Sequence, residues 1–122
     1  MQKLTLQVYV RGSVEAVELY KNAFNTELTA SYKNSDGTFS HAEFEINGQT
    51  FAVSESWFNE AIKGNTMQFI FHFGEENEHI IQKAYDVLKD GATILHELGP
   101  IGWSSFAFAL IDKYGVSWCI AV

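Results

Sequence analysis

His41 and Glu43 stand two residues apart in the run Phe39-Ser40-His41-Ala42-Glu43-Phe44-Glu45-Ile46. On a strand that spacing puts an imidazole and a carboxylate on one face, where they could serve as a base and its partner or as anchors for a cationic ligand. The outer face of an antiparallel strand is also often simply hydrated, so both readings stand. Cys119 is the one cysteine of the chain. It cannot close an internal disulfide, and no Cys/His grouping has the spacing of a zinc site. Trp57, Phe58 and Trp103 fall in loop-like stretches, where exposed aromatics cover a pocket or a dimer seam. His79 and His96 read as helix-surface and strand-end residues and draw no role.

The elements that position these groups follow from periodicity. Residues 3–10 alternate apolar and polar as a half-buried strand does. Ser13 is the expected helix N-cap, and Ala16, Val17, Tyr20, Ala23 and Phe24 then share one helical face. Strands are expected over 27–33 and 39–46, and Asn47-Gly48 signals a two-residue hairpin returning through 49–55. The pattern breaks over 56–66, the expected junction. A second strand–helix pair follows over 67–73 and 80–88, stopped at Asp90-Gly91. A strand over 92–98, a loop at Gly99-Pro100-Ile101-Gly102 and a closing hairpin over 106–122, turning at Asp112-Lys113-Tyr114-Gly115, complete the chain.

Bulk composition narrows the partners. The chain has 122 residues, 47% of them hydrophobic, and a formal net charge of -7. One packed domain is expected, and the aromatic share of 15% suits sheet cores and pocket linings. The negative balance argues against a nucleic-acid partner, whose phosphates call for Lys and Arg, and favours neutral or cationic small molecules. No apolar run approaches the ~20 residues of a membrane helix, and no signal-peptide pattern opens the chain. A cytoplasmic location is expected.

The element order β-α-β-β-β occurs twice, with a period of about sixty residues. With that order, Val14-Glu15-Ala16-Val17-Glu18-Leu19-Tyr20-Lys21-Asn22-Ala23-Phe24, His41-Ala42-Glu43, Gly102-Trp103 and Asp112-Lys113-Tyr114-Gly115-Val116-Ser117-Trp118 resemble the PhnB-like branch of the vicinal-oxygen-chelate superfamily, which holds glyoxalases, bleomycin-resistance proteins and dioxygenases. The resemblance implies an α+β fold of two βαβββ modules, about 1–56 and 66–122, whose mixed sheets curl into a cup with the helices outside, often in a homodimer. Its enzymes hold a divalent metal at the cup floor with His, Glu or Gln from the first and last strands of each module. Those positions fall here on Thr5, Ala52, Gln68 and Cys119. One amide and one thiol without imidazole or carboxylate make a poor site for Mn, Fe, Ni or Zn, so no metal and no other cofactor is expected.

Alternation then gives the expected cup lining: Thr5, Gln7, Tyr9, Gln68, Ile70 and His72 from the first strands. The two-residue Asn47-Gly48 loop places Glu45 opposite Thr50, Glu43 opposite Ala52 and His41 opposite Ser54. The same count across 112–115 pairs Phe108 with Cys119 and Phe106 with Ala121 in the cup, and Ala109 with Trp118 under the helix. Expected ligand contacts are Thr5, Gln7, Tyr9, Trp57, Gln68, Trp103, Phe106, Phe108 and Cys119. The expected function is binding of an aromatic or cationic small molecule in a homodimer. The alternative is a lyase- or isomerase-type enzyme that uses a divalent metal or the Glu43/His41 pair.

Overall fold

A computed structural model describes residues 1–56 and 66–122. The chain divides into two compact units, Met1–Ile62 and Lys63–Val122. Each is taken by itself.

The first unit runs β1 (Thr5–Val10), α1 (Ser13–Phe24), β2 (Leu28–Lys33), β3 (Phe39–Ile46) and β4 (Gln49–Glu55). Its sheet has the order β1-β4-β3-β2, with β1 parallel to β4 and the other pairs antiparallel. Asn47 (φ 51°) and Gly48 (φ 79°) both lie in the left-handed region, which a type I′ turn requires at its two central positions. The turn fixes the register with Ile46 beside Gln49, Glu45 beside Thr50 and Glu43 beside Ala52, as expected. Ala42, Phe44, Phe51 and Val53 are therefore buried under α1. Phe51 stacks on Phe44 and meets the edge of Tyr20, ring centres 5.6 Å apart in each pair. Each such ring contributes about 1.5–3 kcal/mol by leaving water.

The helix start differs from expectation. Gly12 (φ 84°) is the N-cap and Ser13 the first helical residue. Both carboxylate oxygens of Glu55, at the end of β4, accept from the Gly12 and Ser13 amides at 3.1 and 2.9 Å. The buried Ser13 hydroxyl is thereby released to accept from Phe39 N at 2.9 Å.

The second unit repeats the order as β5 (Phe69–His72), α2 (Glu78–Leu88), β6 (Thr93–Ile101), β7 (Ser104–Ile111) and β8 (Ser117–Ala121). Its sheet order is β5-β8-β7-β6. The expected loop at residues 99–102 is strand as far as Ile101, because β6 is an edge strand with register shifts near Gly99. Pro100 is tolerated at such a position, where its missing N–H interrupts no interior ladder. Trp118 is fully buried against Phe69 and Phe71, centroids 5.6 and 5.3 Å away.

The closing hairpin corrects the sequence reading by one residue. Ile111 pairs with Ser117, Ala109 with Cys119, Phe108 with Ile120 and Ala107 with Ala121. Asp112 is the cause. Its Oδ1 accepts from the amides of Tyr114 and Val116 at 2.9 and 3.0 Å, its Oδ2 accepts from Trp118 Nε1 at 2.9 Å, and Gly115 (φ 87°) takes the left-handed position. The side-chain-closed turn holds one more residue than the simple count allows. A slip of one moves every side chain to the other face. Phe106 and Phe108 therefore lie on the helix side, Phe108 with its ring 5.1 Å from Tyr85, and Ala109 moves to the open face beside Cys119.

Candidate functional site

Each sheet leaves one face away from its helix. In the first module the pairing builds this face in two rows across the strands. One row runs Gln7, Ala52, Glu43, Ala30. The other joins Tyr9 to Ser54 and His41 to Tyr32, and continuing the β3–β4 register brings His41 next to Ser54. The middle is small and shielded, with Ala52 and Ser54 buried, while Tyr9 and Tyr32 at the two ends are 61% and 63% exposed.

His41 Nε2 donates to Glu43 Oε1 at 3.0 Å. That hydrogen bond holds the Glu43 carboxyl below its ordinary range, with burial opposing and the charges of Lys3 and His41 helping slightly. Gln7 turns its amide nitrogen inward, donating to Ser54 Oγ at 3.0 Å and to Val8 O at 2.9 Å, which leaves its carbonyl oxygen as the outward group. The face thus offers acceptors between two phenol rings.

The open face of the second module has a different chemistry. Ile70 pairs with Cys119 and His72 with Ala121, and β7 adds Ala107 and Ala109. Gln68 Nε2 donates to Ser117 Oγ at 3.4 Å. Trp103, at the β6–β7 turn and 52% exposed, lies against the His72 imidazole with ring centres 5.3 Å apart. Burial pushes the Cys119 thiol up, so it stays protonated and weakly nucleophilic at neutral pH. His96 carries a buried Nδ1 with no hydrogen-bond partner among the described residues.

Of the residues singled out from sequence, Thr5, Gln7, Tyr9, His41 and Glu43 share the first module's open face, and Gln68 and Cys119 the second's, where Trp103 lies against His72. Phe106 and Phe108 do not. Trp57 and Phe58 lie outside the described residues. Tyr32 escaped the sequence reading, in which His96 is a strand-end residue without a role. The period-two step from Ala30 to Tyr32 was the available signal for the first, whereas the orphaned nitrogen of the second is visible only in three dimensions.

A sequence model of the Glyoxalase/Bleomycin resistance protein/Dioxygenase superfamily matches residues 4–120. The chain belongs to this superfamily. A PhnB protein from Bacillus cereus is similar over 98% of both chains, at 29% identity and a TM-score of 0.81. A Pseudomonas aeruginosa protein matches 99% of this chain and 97% of its own at 19% identity and 0.79. The fosfomycin resistance protein FosX of Listeria monocytogenes matches over 99% and 93% at 14% identity and 0.73; at that distance the likeness is one of fold. No curated protein matches in sequence.

Superfamily membership raises the question of a metal, and the chain's own donors answer poorly. Of the four positions that the motif alignment points to, Ala52 offers a methyl group, Thr5 a hydroxyl and Gln68 an amide whose nitrogen donates to Ser117 and whose remaining oxygen is a neutral, weak donor. Cys119 offers a single buried thiol. A divalent ion of the Mn, Fe, Ni or Zn kind needs three or four imidazole, carboxylate or thiolate donors, and among the described residues no three His, Cys, Asp or Glu side chains come together to supply them. These residues do not fit the group.

Proposed function

We propose that this protein binds a small organic molecule and works without the catalytic metal of its superfamily's enzymes. The observation that carries the reading is the methyl group of Ala52 at a metal-ligand position, on a polar, aromatic-edged face whose one imidazole and one carboxylate, His41 and Glu43, are bonded to each other and joined by no third donor among the described residues. The contacts we assign to ligand are Thr5, Gln7 and Tyr9 on the first module's open face and, on the second module's face taken by itself, Gln68, Trp103 and Cys119. The homodimer that the family resemblance implies belongs to the proposal, as does a cytoplasmic location, which accords with the lack, among described residues, of any helix long and apolar enough to cross a membrane.

Two measurements test this. Elemental analysis of the purified protein, before and after incubation with Mn, Fe, Ni and Zn salts, should find no stoichiometric divalent metal; one that is present and lost on Gln68→Ala would overturn the metal-free reading. Calorimetric titration with a broad panel of planar and charged compounds should find binders, and silence across that panel would count against binding as the role. Light scattering on the eluting protein checks the dimer.

A second reading is favoured by one geometry, the 3.0 Å contact of His41 with Glu43. A carboxylate held below its usual range is a weak base, so in an enzyme Glu43 would orient the imidazole and His41 would take the proton. A turnover abolished by both His41→Gln and Glu43→Gln, with folding intact, would establish it in place of pure binding.

A further inference from the structure

We propose that the open face of the first module recognises an organic cation, a flat aromatic or quaternary ammonium group, held between Tyr9 and Tyr32 over Gln7 and Glu43. This names the ligand class of the binding reading above and rests on it. The first support is the donor–acceptor balance of the row that crosses Ala52. Gln7 commits its amide nitrogen to Ser54 and Val8, leaving the carbonyl oxygen outward. Glu43 receives His41 on Oε1, and no described residue donates to Oε2. Two outward acceptors on either side of a buried methyl attract positive charge and offer nothing to an anion.

The second support is the pair of phenol rings. Tyr9 and Tyr32 stand at opposite ends of the neighbouring row, both more than half exposed. Their strands are the first and fourth of the sheet, so at roughly 4.8 Å per strand their backbones are about 14 Å apart. Side chains as long as tyrosine at two such edges could reach the two ends of one planar ligand, and the faces of aromatic rings attract cations. The third support is permanence of charge. The His41 hydrogen bond keeps Glu43 ionised throughout the neutral range, so the negative centre needs no ligand to create it. Besides His41 itself, Lys3 is the described cation whose charge acts on Glu43, and it ranks behind that hydrogen bond and burial. An organic cation would thus be held beside the position at which the superfamily's enzymes would carry a metal ligand.

The test uses three probes of one shape: N-methylquinolinium, uncharged 1-methylnaphthalene and anionic naphthalene-1-sulfonate. They are titrated calorimetrically into the full chain, with amide chemical shifts recorded in parallel. N-methylquinolinium should bind at least tenfold more tightly than either of the others and shift the amides of Gln7, Ala52 and Glu43. Glu43→Gln should weaken it about tenfold and Tyr32→Ala about fivefold, while Glu45→Gln, one step further along β3, should stay within twofold. Circular dichroism confirms that the variants fold. Equal affinity for the cation and its neutral isostere, or tighter binding of the sulfonate, overturns the ligand class and leaves small-molecule binding standing. Preference for the cation with no loss on Glu43→Gln overturns the placement. Binding of none of the three overturns the proposal, and the broad panel above then decides whether the binding reading falls with it.

Discussion

Replacing Asp112 probes the turn that sets which side chains reach the second module's open face. The side chain is buried, and among its donors are the amides of Tyr114 and Val116 and the indole Nε1 of Trp118. Asp112→Ala strands all three. The Tyr114 amide is only part-buried and recovers a bond from water, so its loss weighs little. The other two are buried, and an unsatisfied buried donor costs about 1–3 kcal/mol. Their sum, less the desolvation relieved when a buried carboxylate is removed, gives a destabilisation of about 3 kcal/mol. Asp112→Asn keeps Oδ1 for the two amides but turns an NH2 group toward the Trp118 N–H, donor against donor, for about 1–2 kcal/mol. In a Trp118→Phe background that clash has no partner, so Asp112→Asn should there cost less than about half as much. Equilibrium urea unfolding followed by far-ultraviolet circular dichroism measures all four corners of the cycle. A loss below about 1 kcal/mol for Asp112→Ala, or an Asp112→Asn cost unchanged by removing the indole, would refute this account of the turn.

Other substitutions test neighbouring pieces. Gly115→Ala places a Cβ at φ 87° and should cost about 1 kcal/mol in the same unfolding assay. Glu55→Ala removes both capping oxygens from the start of α1 and should cost about 1–2 kcal/mol, with Glu55→Gln retaining part of the loss. Cys119 should resist a disulfide reagent in the folded protein and react at once in urea, since burial both covers the thiol and raises its pKa. A raised thiol pKa favours the folded state below the unfolded thiol's value and withdraws that advantage as pH climbs through the alkaline range. Glu43 runs the other way. Its folded pKa is depressed, so the stability difference between wild type and Glu43→Gln should be full above the ordinary carboxylate range and vanish as acid protonates Glu43. His41, Glu45 and Lys3 are charged or titratable neighbours on that side, beside the phenols of Tyr9 and Tyr32, and Glu45→Gln serves as the control.

The first module was largely legible because two signals agreed. Strict alternation in β3 chose the face, and Asn47-Gly48 chose a two-residue loop, so His41 and Glu43 could be paired across the sheet by counting. The last hairpin offered neither. Phe106 to Ile111 is apolar at every position, so the pattern had no power to choose a face, and 112–115 reads equally well as a plain four-residue loop. Only the hydrogen bonds of the Asp112 side chain decide the count. Strand β6 failed for a related reason: Gly99-Pro100 is turn chemistry in isolation, and an edge position made it acceptable as strand. The cap of α1 was missed because the oxygens that satisfy it belong to Glu55, far along the chain, whereas local capping rules look for a nearby Ser or Asp.

That borrowed cap ties three segments together. Through Glu55 the start of α1 is bonded to the end of β4, and through the Ser13 hydroxyl to the first residue of β3. In α2 the corresponding Asn77 amide is spent on carbonyls of the loop just before it, Phe73, Gly74 and Glu75. The first helix therefore cannot fray from its beginning without breaking contacts in two strands, while the second can unwind alone. In hydrogen exchange, the early amides of α1 should open together with β3 and β4 as one cooperative unit, and those of α2 should exchange sooner and independently.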